Sequence, residues 1–366
     1  MENKKIKGRG SQFNSPNRFE QIYIDNNSYE VGEHIEFFEE EGIEKKVPTT
    51  FYNDHTKTIL SKNNSPDLGH GYSINPYRGC EHGCIYCYAR PTHEYLGFSA
   101  GLDFETKIMV KQDAPKLLEE AFLKKSWEPQ TIVLSGNTDC YQPAERKFKI
   151  TRGCLEVFLN FKNPVAIITK NALVQRDIDI LKELARLNLV RVVISITSLK
   201  KEVQRKMEPR TSSPVMRLQT IEKLTANNII TSVNVAPIIP GLTDEEVPSI
   251  LKAASECGAK AAGRVIVRLP FAVKDLFVDW AKREFPDRAN KIINRISDLH
   301  GGKLYNSEWG KRMTGEGIWA ETIKKIFEAN CDKYNLNKER NPLSTDLFQI
   351  PSEIRNKNQF DLFGQS

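Results

Sequence analysis

From Gly71 onward, short β-branched runs alternate with longer stretches of helical periodicity, and this alternation limits the fold more than any other feature of the chain. The runs are Tyr72–Asn75, Thr131–Ser135, Val165–Thr169, Val190–Ile196, Ile229–Ala236 and Arg264–Arg268. Helical patterns lie between them, at Ala114–Lys125, Asp177–Leu187, Ser213–Ala226 and Asp244–Cys257. Strands that alternate with helices must run parallel, because each helix carries the chain back to the start of the sheet. In such architectures sites assemble on the loops at the carboxyl ends of the strands. The alternation itself fits either a doubly wound sheet or a barrel. The last helical pattern opens Thr243-Asp244-Glu245-Glu246, an N-cap followed by acids that suit the helix dipole.

The loop after the first run holds Cys80, Cys84 and Cys87, spaced Cys-x3-Cys-x2-Cys, with Tyr86 before the last cysteine. Three thiolates are one short of the set that fills a four-iron cluster, so this spacing points to an iron–sulfur centre with one iron left open. Structural zinc more often recruits two cysteine pairs, and Cys140, Cys154, Cys257 and Cys331 are scattered singly. A Cys3His zinc site completed by His82 or His93 is the alternative. The seven cysteines and the lack of a secretory segment argue against a disulfide framework. No apolar run reaches the ~20 residues a membrane-spanning helix needs. A cytoplasmic location is therefore expected. The net charge of +6 permits contact with nucleic acid phosphates without requiring it.

The cysteine motif resembles the signature of the radical S-adenosylmethionine (radical SAM) superfamily. The resemblance implies a partial (β/α)6 barrel. It implies a [4Fe–4S] cluster on Cys80, Cys84 and Cys87, with SAM chelating the fourth iron. Reductive cleavage of SAM then gives a 5′-deoxyadenosyl radical that abstracts hydrogen from a substrate, and a flavodoxin or ferredoxin serves as electron donor. Tyr86 would pack near the adenine. The loop Ser135-Gly136-Asn137-Thr138-Asp139 stands where the family usually reads Gly-Gly-Glu and binds the SAM amino group. Gly136 keeps the close backbone approach, Asn137 lies in the same loop, and Thr138 or Asp139 would supply the acceptor. Ser195, at the end of the fourth run, corresponds to a ribose or carboxylate contact. Arg210 or Arg217 would take the methionine carboxylate. Ile239, in Pro237-Ile238-Ile239-Pro240-Gly241, would lie on the adenine, with proline in place of the family's first glycine.

Together these segments resemble the spore photoproduct lyase-like branch over residues 70–270. That likeness implies action on a DNA lesion, with Cys140 as hydrogen donor and Tyr141 in a radical relay. A radical SAM enzyme acting on a protein, peptide or small molecule is the second reading. A non-catalytic, metal-binding, replication-associated protein is the third. Near the end, Gln359-Phe360-Asp361-Leu362-Phe363 resembles the peptide by which bacterial DNA enzymes bind the sliding clamp, a short docking segment with two apolar anchors. The expected organisation is a polar N-terminal extension (1–70), a radical SAM core (71–270), a helical region (271–345) and a flexible tail (346–366). The basic arm Lys4–Ser11 reads as a nucleic-acid tether or as a solvated tail.

Overall fold

The computed structural model describes residues 5–19, 47–338, 341–352 and 354. In chain order the strands are β1 (Thr50–Asn53), β2 (Leu60–Lys62), β3 (Tyr72–Ile74), β4 (Tyr77–Arg78), β5 (Lys107–Val110), β6 (Ile132–Leu134), β7 (Val165–Thr169), β8 (Val190–Ser195), β9 (Thr231–Ile238) and β10 (Ala261–Ile266). The main sheet has the order β10-β9-β8-β7-β6-β3-β2. Six of its strands are parallel, and β2 adds antiparallel to β3 at the edge. This is the expected α/β arrangement. The sheet curves through six β/α steps without closing, since β10 and β2 do not pair with each other.

The central strands bury one face fully and the other in part, as parallel strands covered by helices do. Val165, Ile167, Val190, Val192 and Ile194 are all buried. The helix Ile178–Arg186 covers them with Ile180, Leu181 and Leu184 and turns Lys182, Glu183 and Arg186 outward. The helix Pro214–Ala226 starts where its sequence signals it: Ser213 Oγ accepts the Met216 amide, and proline fills the first helical position. The helix after β9 departs from expectation. Thr243 does not cap it; its hydroxyl accepts the Ile239 amide at 2.9 Å, Asp244 accepts the Gly241 amide at 2.8 Å, and the chain enters through a short 3-10 turn, Asp244–Glu246. The last strand also begins earlier than expected, at Ala261, because Ala-Ala-Gly gains strand geometry from pairing with β9 rather than from intrinsic propensity.

A second sheet, β1-β5-β4, is not signalled by the sequence. Its strands are two to four residues long, and only β5, Lys-Ile-Met-Val, carries an apolar run. The N-terminal 70 residues therefore contribute β1 and β2 rather than lying apart from the core. The basic arm is not a solvated tail over its described part, because Ile6, Arg9, Ser11 and Ser15 are buried. At the other end, Phe348 packs against Phe122 and Phe161, with ring centroids 5.9 and 6.2 Å apart, and the Gln349 amide donates to Phe161 O. The chain is thus docked to at least Ile350, and the peptide Gln359–Phe363 lies outside the described residues. Among the described residues no helix is long and apolar enough to cross a membrane.

A candidate cofactor site at the carboxyl ends of the parallel strands

The cysteine loop follows β4 and turns at two glycines in the left-handed region, Gly79 (φ +78°) and Gly83 (φ +67°). A Cβ at Gly79 would lie 2.9 Å from the His93 ring, so neither the conformation nor the space admits a side chain there. The loop is held from several sides. The Cys80 amide donates to Phe104 O at 2.9 Å and the Ile85 amide to Met207 O at 3.0 Å. Gln142, fully buried, accepts the Glu81 amide at 2.9 Å and donates to Gly79 O at 3.1 Å. Arg90, also fully buried, donates from Nε to Cys84 O at 3.0 Å.

Cys80 and Cys84 are buried and Cys87 half-buried. Burial pushes the Cys80 and Cys84 thiols up, with Asp139 adding to the effect at Cys80 and Glu208 at Cys84. Thiolates here need a bound cation to be stable, and binding would release the protons. A cluster gives each thiolate its own iron, so three thiols on one short loop fit a cluster donor set. Both imidazoles are engaged within the protein: His82 with Asp139 at 3.4 Å and Asn171 at 3.1 Å, His93 with Lys107 O at 2.9 Å. Burial holds each at about 4, so both are neutral at pH 7.

The three cysteines open onto a cavity of about 260 Å³. The loops after β6, β7 and β10, and the ends of β7, β8, β9 and β10 themselves, form its other walls. It receives Tyr86, Gly136, Asn137, Thr138, Asp139 and Ser195 from the expected set. Asn75 organises the β6 loop: its Oδ1 accepts the amides of Gly136, Asn137 and Thr138 at 2.9, 2.8 and 3.3 Å. Asp139 lines the cavity with its carboxylate already occupied. It accepts the Tyr141 amide, the Thr169 hydroxyl and the Lys170 amide, at 2.8, 2.7 and 2.8 Å, besides facing His82. Thr138 Oγ1 donates to Tyr77 O and keeps lone pairs for a ligand.

Five expected residues lie outside this cavity. Arg217 is 1% exposed and saturated: it donates to Ser195 O and Ser212 O at 2.9 Å, to Thr211 Oγ1 at 2.6 Å, and to Glu208. Arg210 faces away and pairs with Glu81 at 3.1 Å. Ile239 is fully buried in the apolar cluster beneath Tyr86 and Cys84. Cys140 and Tyr141 are fully buried behind the β6 loop, Cys140 giving its amide to Ser135 Oγ and Tyr141 its hydroxyl to Asp177 at 3.0 Å. Tyr86 reaches the cavity, but its hydroxyl is spent on Glu208, which also accepts from Thr197 at 2.7 Å. Burial would raise the Glu208 carboxyl; Arg217, Lys170 and these hydrogen bonds outweigh it and hold the group at about 2.

The structure adds residues that the sequence did not single out. Lys170 follows β7 directly and lines the cavity, its ammonium 6.0 Å from the Tyr86 ring centroid. Arg268 follows β10 and stacks on Tyr88 with 3.9 Å to the ring centroid. Asn234 enters from β9. Position at a strand's carboxyl end was the available signal for Lys170, since the other loops were read on that ground. At the mouth, Leu68 and Met313 come from two loops joined by Arg312 to Asp67 at 2.6 Å and by the Gly310 amide to Asp67 at 2.7 Å.

Residues 74–254 match the radical SAM superfamily. An uncharacterized protein of Mycobacterium tuberculosis (strain ATCC 25618 / H37Rv) is 34% identical over 254 residues, which cover 69% of this chain and 74% of that one. An uncharacterized protein of Methanocaldococcus jannaschii is 30% identical over 178 residues, 49% of this chain and 64% of its own. Among solved structures, spore photoproduct lyase complexed with dinucleoside spore photoproduct superposes with a TM-score of 0.57 at 15% identity, covering 78% of each chain. The same enzyme with bound AdoMet and the dinucleoside gives 0.56 at 16% identity, again over 78% of each. At such identity the likeness establishes a shared fold. The cysteine loop on a six-step parallel sheet and the matched span lead to one assignment: the chain belongs to the radical SAM superfamily, whose members use a [4Fe–4S] cluster and S-adenosylmethionine.

Proposed function

We propose that this cavity is the active site of an enzyme that cleaves SAM reductively and acts on nucleic acid, a damaged base in DNA being the favoured substrate. The observation that carries the cofactor part is the cavity itself, with three buried or half-buried cysteines on one wall and an ammonium on another. When bound, the cluster supplies the electron that breaks a carbon–sulfur bond of SAM and yields a 5′-deoxyadenosyl radical. Cys80, Cys84 and Cys87 hold the cluster. Lys170 presents the charge that suits the methionine carboxylate, the role that neither Arg210 nor Arg217 is placed to fill. The β6 loop offers Thr138 Oγ1 and its backbone to the amino group, while Ser195 and Asn234 offer hydrogen bonds to the ribose.

Lys170→Met is expected to raise the SAM dissociation constant by about 10- to 100-fold, the loss of one charge-assisted hydrogen bond of roughly 1.5–3 kcal/mol. Its melting temperature should stay within a degree or two. Unchanged SAM affinity, measured by equilibrium dialysis on the reconstituted protein, would remove Lys170 from the site.

The nucleic acid part is supported by the fold shared with an enzyme solved with a dinucleoside, and by the net charge of +6. Reconstituted protein with SAM and dithionite should release 5′-deoxyadenosine faster with lesion-bearing DNA than without. Equal rates across several lesions, with stimulation by a nuclease-treated cell extract, would shift the substrate to a protein, peptide or small molecule. A colourless protein holding zinc and no iron would leave the metal-binding, replication-associated reading. Docking to a sliding clamp through Gln359–Phe363 belongs to the same proposal. Deleting those five residues should abolish clamp binding in a pull-down while SAM cleavage persists.

The hydrogen-donor role of Cys140 has weaker support, because the fully buried thiol, pushed up by burial, does not line the cavity. Cys140→Ala checks it: deuterium return from solvent to product should persist if the thiol is merely core.

A further inference from the structure

The first described residues of the chain run against the back of the cysteine loop. Gly10 lies so close that a Cβ there would fall 1.9 Å from Gly83 O, the carbonyl immediately before Cys84. The contact is built around the carboxylate of Glu105, which is fully buried. Glu105 accepts the Gly10 amide at 3.0 Å and the Ser11 amide at 2.8 Å, and takes Arg90 Nη2 at 2.5 Å. Arg90 in turn holds Cys84 O through Nε. Arg9 closes the arrangement from outside, donating to Glu105 O at 2.7 Å, Val47 O at 2.8 Å and Thr49 Oγ1 at 2.9 Å. Thr49 donates to Glu81, inside the cysteine loop. Further along, Ser15 and Ser99 join at 2.7 Å and Asn17 donates to Glu94 O at 2.9 Å, so the segment is anchored on both sides of Gly10.

We infer that residues 6–17 form a strap that positions the Cys84 turn and shields the cluster site from solvent, with Gly10 and Glu105 as its positioning residues. The segment precedes the span that matches the superfamily, and the role is independent of which substrate the enzyme takes. The physical reasoning is direct. The rigidity of a ligand depends on the groups that hold its backbone, and losing such support typically weakens metal binding by 10–100-fold. Cluster potential also depends on solvent access and on nearby hydrogen bonds. Only glycine permits the approach at position 10, because any larger residue displaces either the strap or the turn that carries Cys84.

The test uses the full-length chain, reconstituted anaerobically. Gly10→Val is expected to keep its far-ultraviolet circular dichroism while giving up iron to a chelator about tenfold faster, with a shifted midpoint potential. Arg9→Gln leaves the Gly10 approach intact and removes hydrogen bonds at the outer edge; it should fold and release iron about threefold faster. A role in general stability alone would lower the melting temperature without moving the potential, so the potential is the deciding readout. Wild-type release rates and potentials in both variants overturn the inference, as they do in Arg9→Gln alone if Gly10→Val fails to fold. A wild-type chain that reconstitutes no iron would overturn it together with the cofactor assignment, and is told apart by that result.

Discussion

Cys84→Ala is expected to yield a folded protein that binds no [4Fe–4S] cluster, with the proposed SAM cleavage falling to background. On the proposed assignment three thiolates are the whole ligand set, and among the described residues the other four cysteines are free thiols outside the cavity. Two ligands cannot retain a cluster against solvent, so the effect is all or none. Iron per chain and the visible absorption of the reconstituted protein measure it. The fold should persist, since the alanine removes one sulfur from a loop that is held through its backbone: the carbonyl of residue 84 still accepts from Arg90 and the amide of Ile85 still reaches Met207. A Cys84→Ala protein holding wild-type iron would refute the assignment of the ligands. Cys80→Ala and Cys87→Ala should behave alike.

Arg217→Met is expected to destabilise the protein by about 3–5 kcal/mol, which lowers the melting temperature by roughly 4–7 °C. The guanidinium joins Glu208 in a pair with side chains 1% and 0% exposed, tied also to Ser195, Thr211 and Ser212. Removing it leaves the Glu208 carboxylate buried without its principal partner, which costs more than the pair contributes when whole. Calorimetry on the cluster-free protein reads the loss. If Arg217 instead held the SAM carboxylate, the variant would lose SAM affinity at unchanged stability, the pattern expected here of Lys170→Met. The sign of the pH effect follows from the same pair. Glu208 lies at about 2 in the folded protein against 4.5 for an ordinary glutamate, so its contribution is complete above about pH 4.5 and is lost as the pH falls towards 2.

Much of the fold was legible in the sequence because its cause is local. Val165–Thr169 and Val190–Ser195 are rich in β-branched residues, buried on one face and half-buried on the other, and such runs have few other ways to satisfy their backbone and their side chains. The cysteine triplet was legible for a similar reason, since ligands to one cluster within eight residues need no tertiary contact to be recognised. The β6 loop is marked by its place at a strand end and by its polar residues, whereas Lys170 at the next strand end is a lone lysine that carries no pattern. The β1-β5-β4 sheet and the docking of Phe348 left no signal, because their stability comes from partners tens to hundreds of residues away.

The sequence by itself determined the strand–helix alternation, the three thiolates and the loop that carries them, and through these the superfamily and its cofactors. Only the tertiary structure decided which charges are free to meet a ligand. Arg210 and Arg217 read as plausible carboxylate partners in one dimension, but folding set Glu81 and Glu208 against them and left Lys170 open to the cavity. Folding also turned a basic, glycine-containing arm into a strap on the Cys84 turn, because a buried Glu105 accepts its amides. The physical reason is the same in both cases. Whether a polar group binds a ligand depends on which partners the fold has already given it, and those partners come from sequence far away.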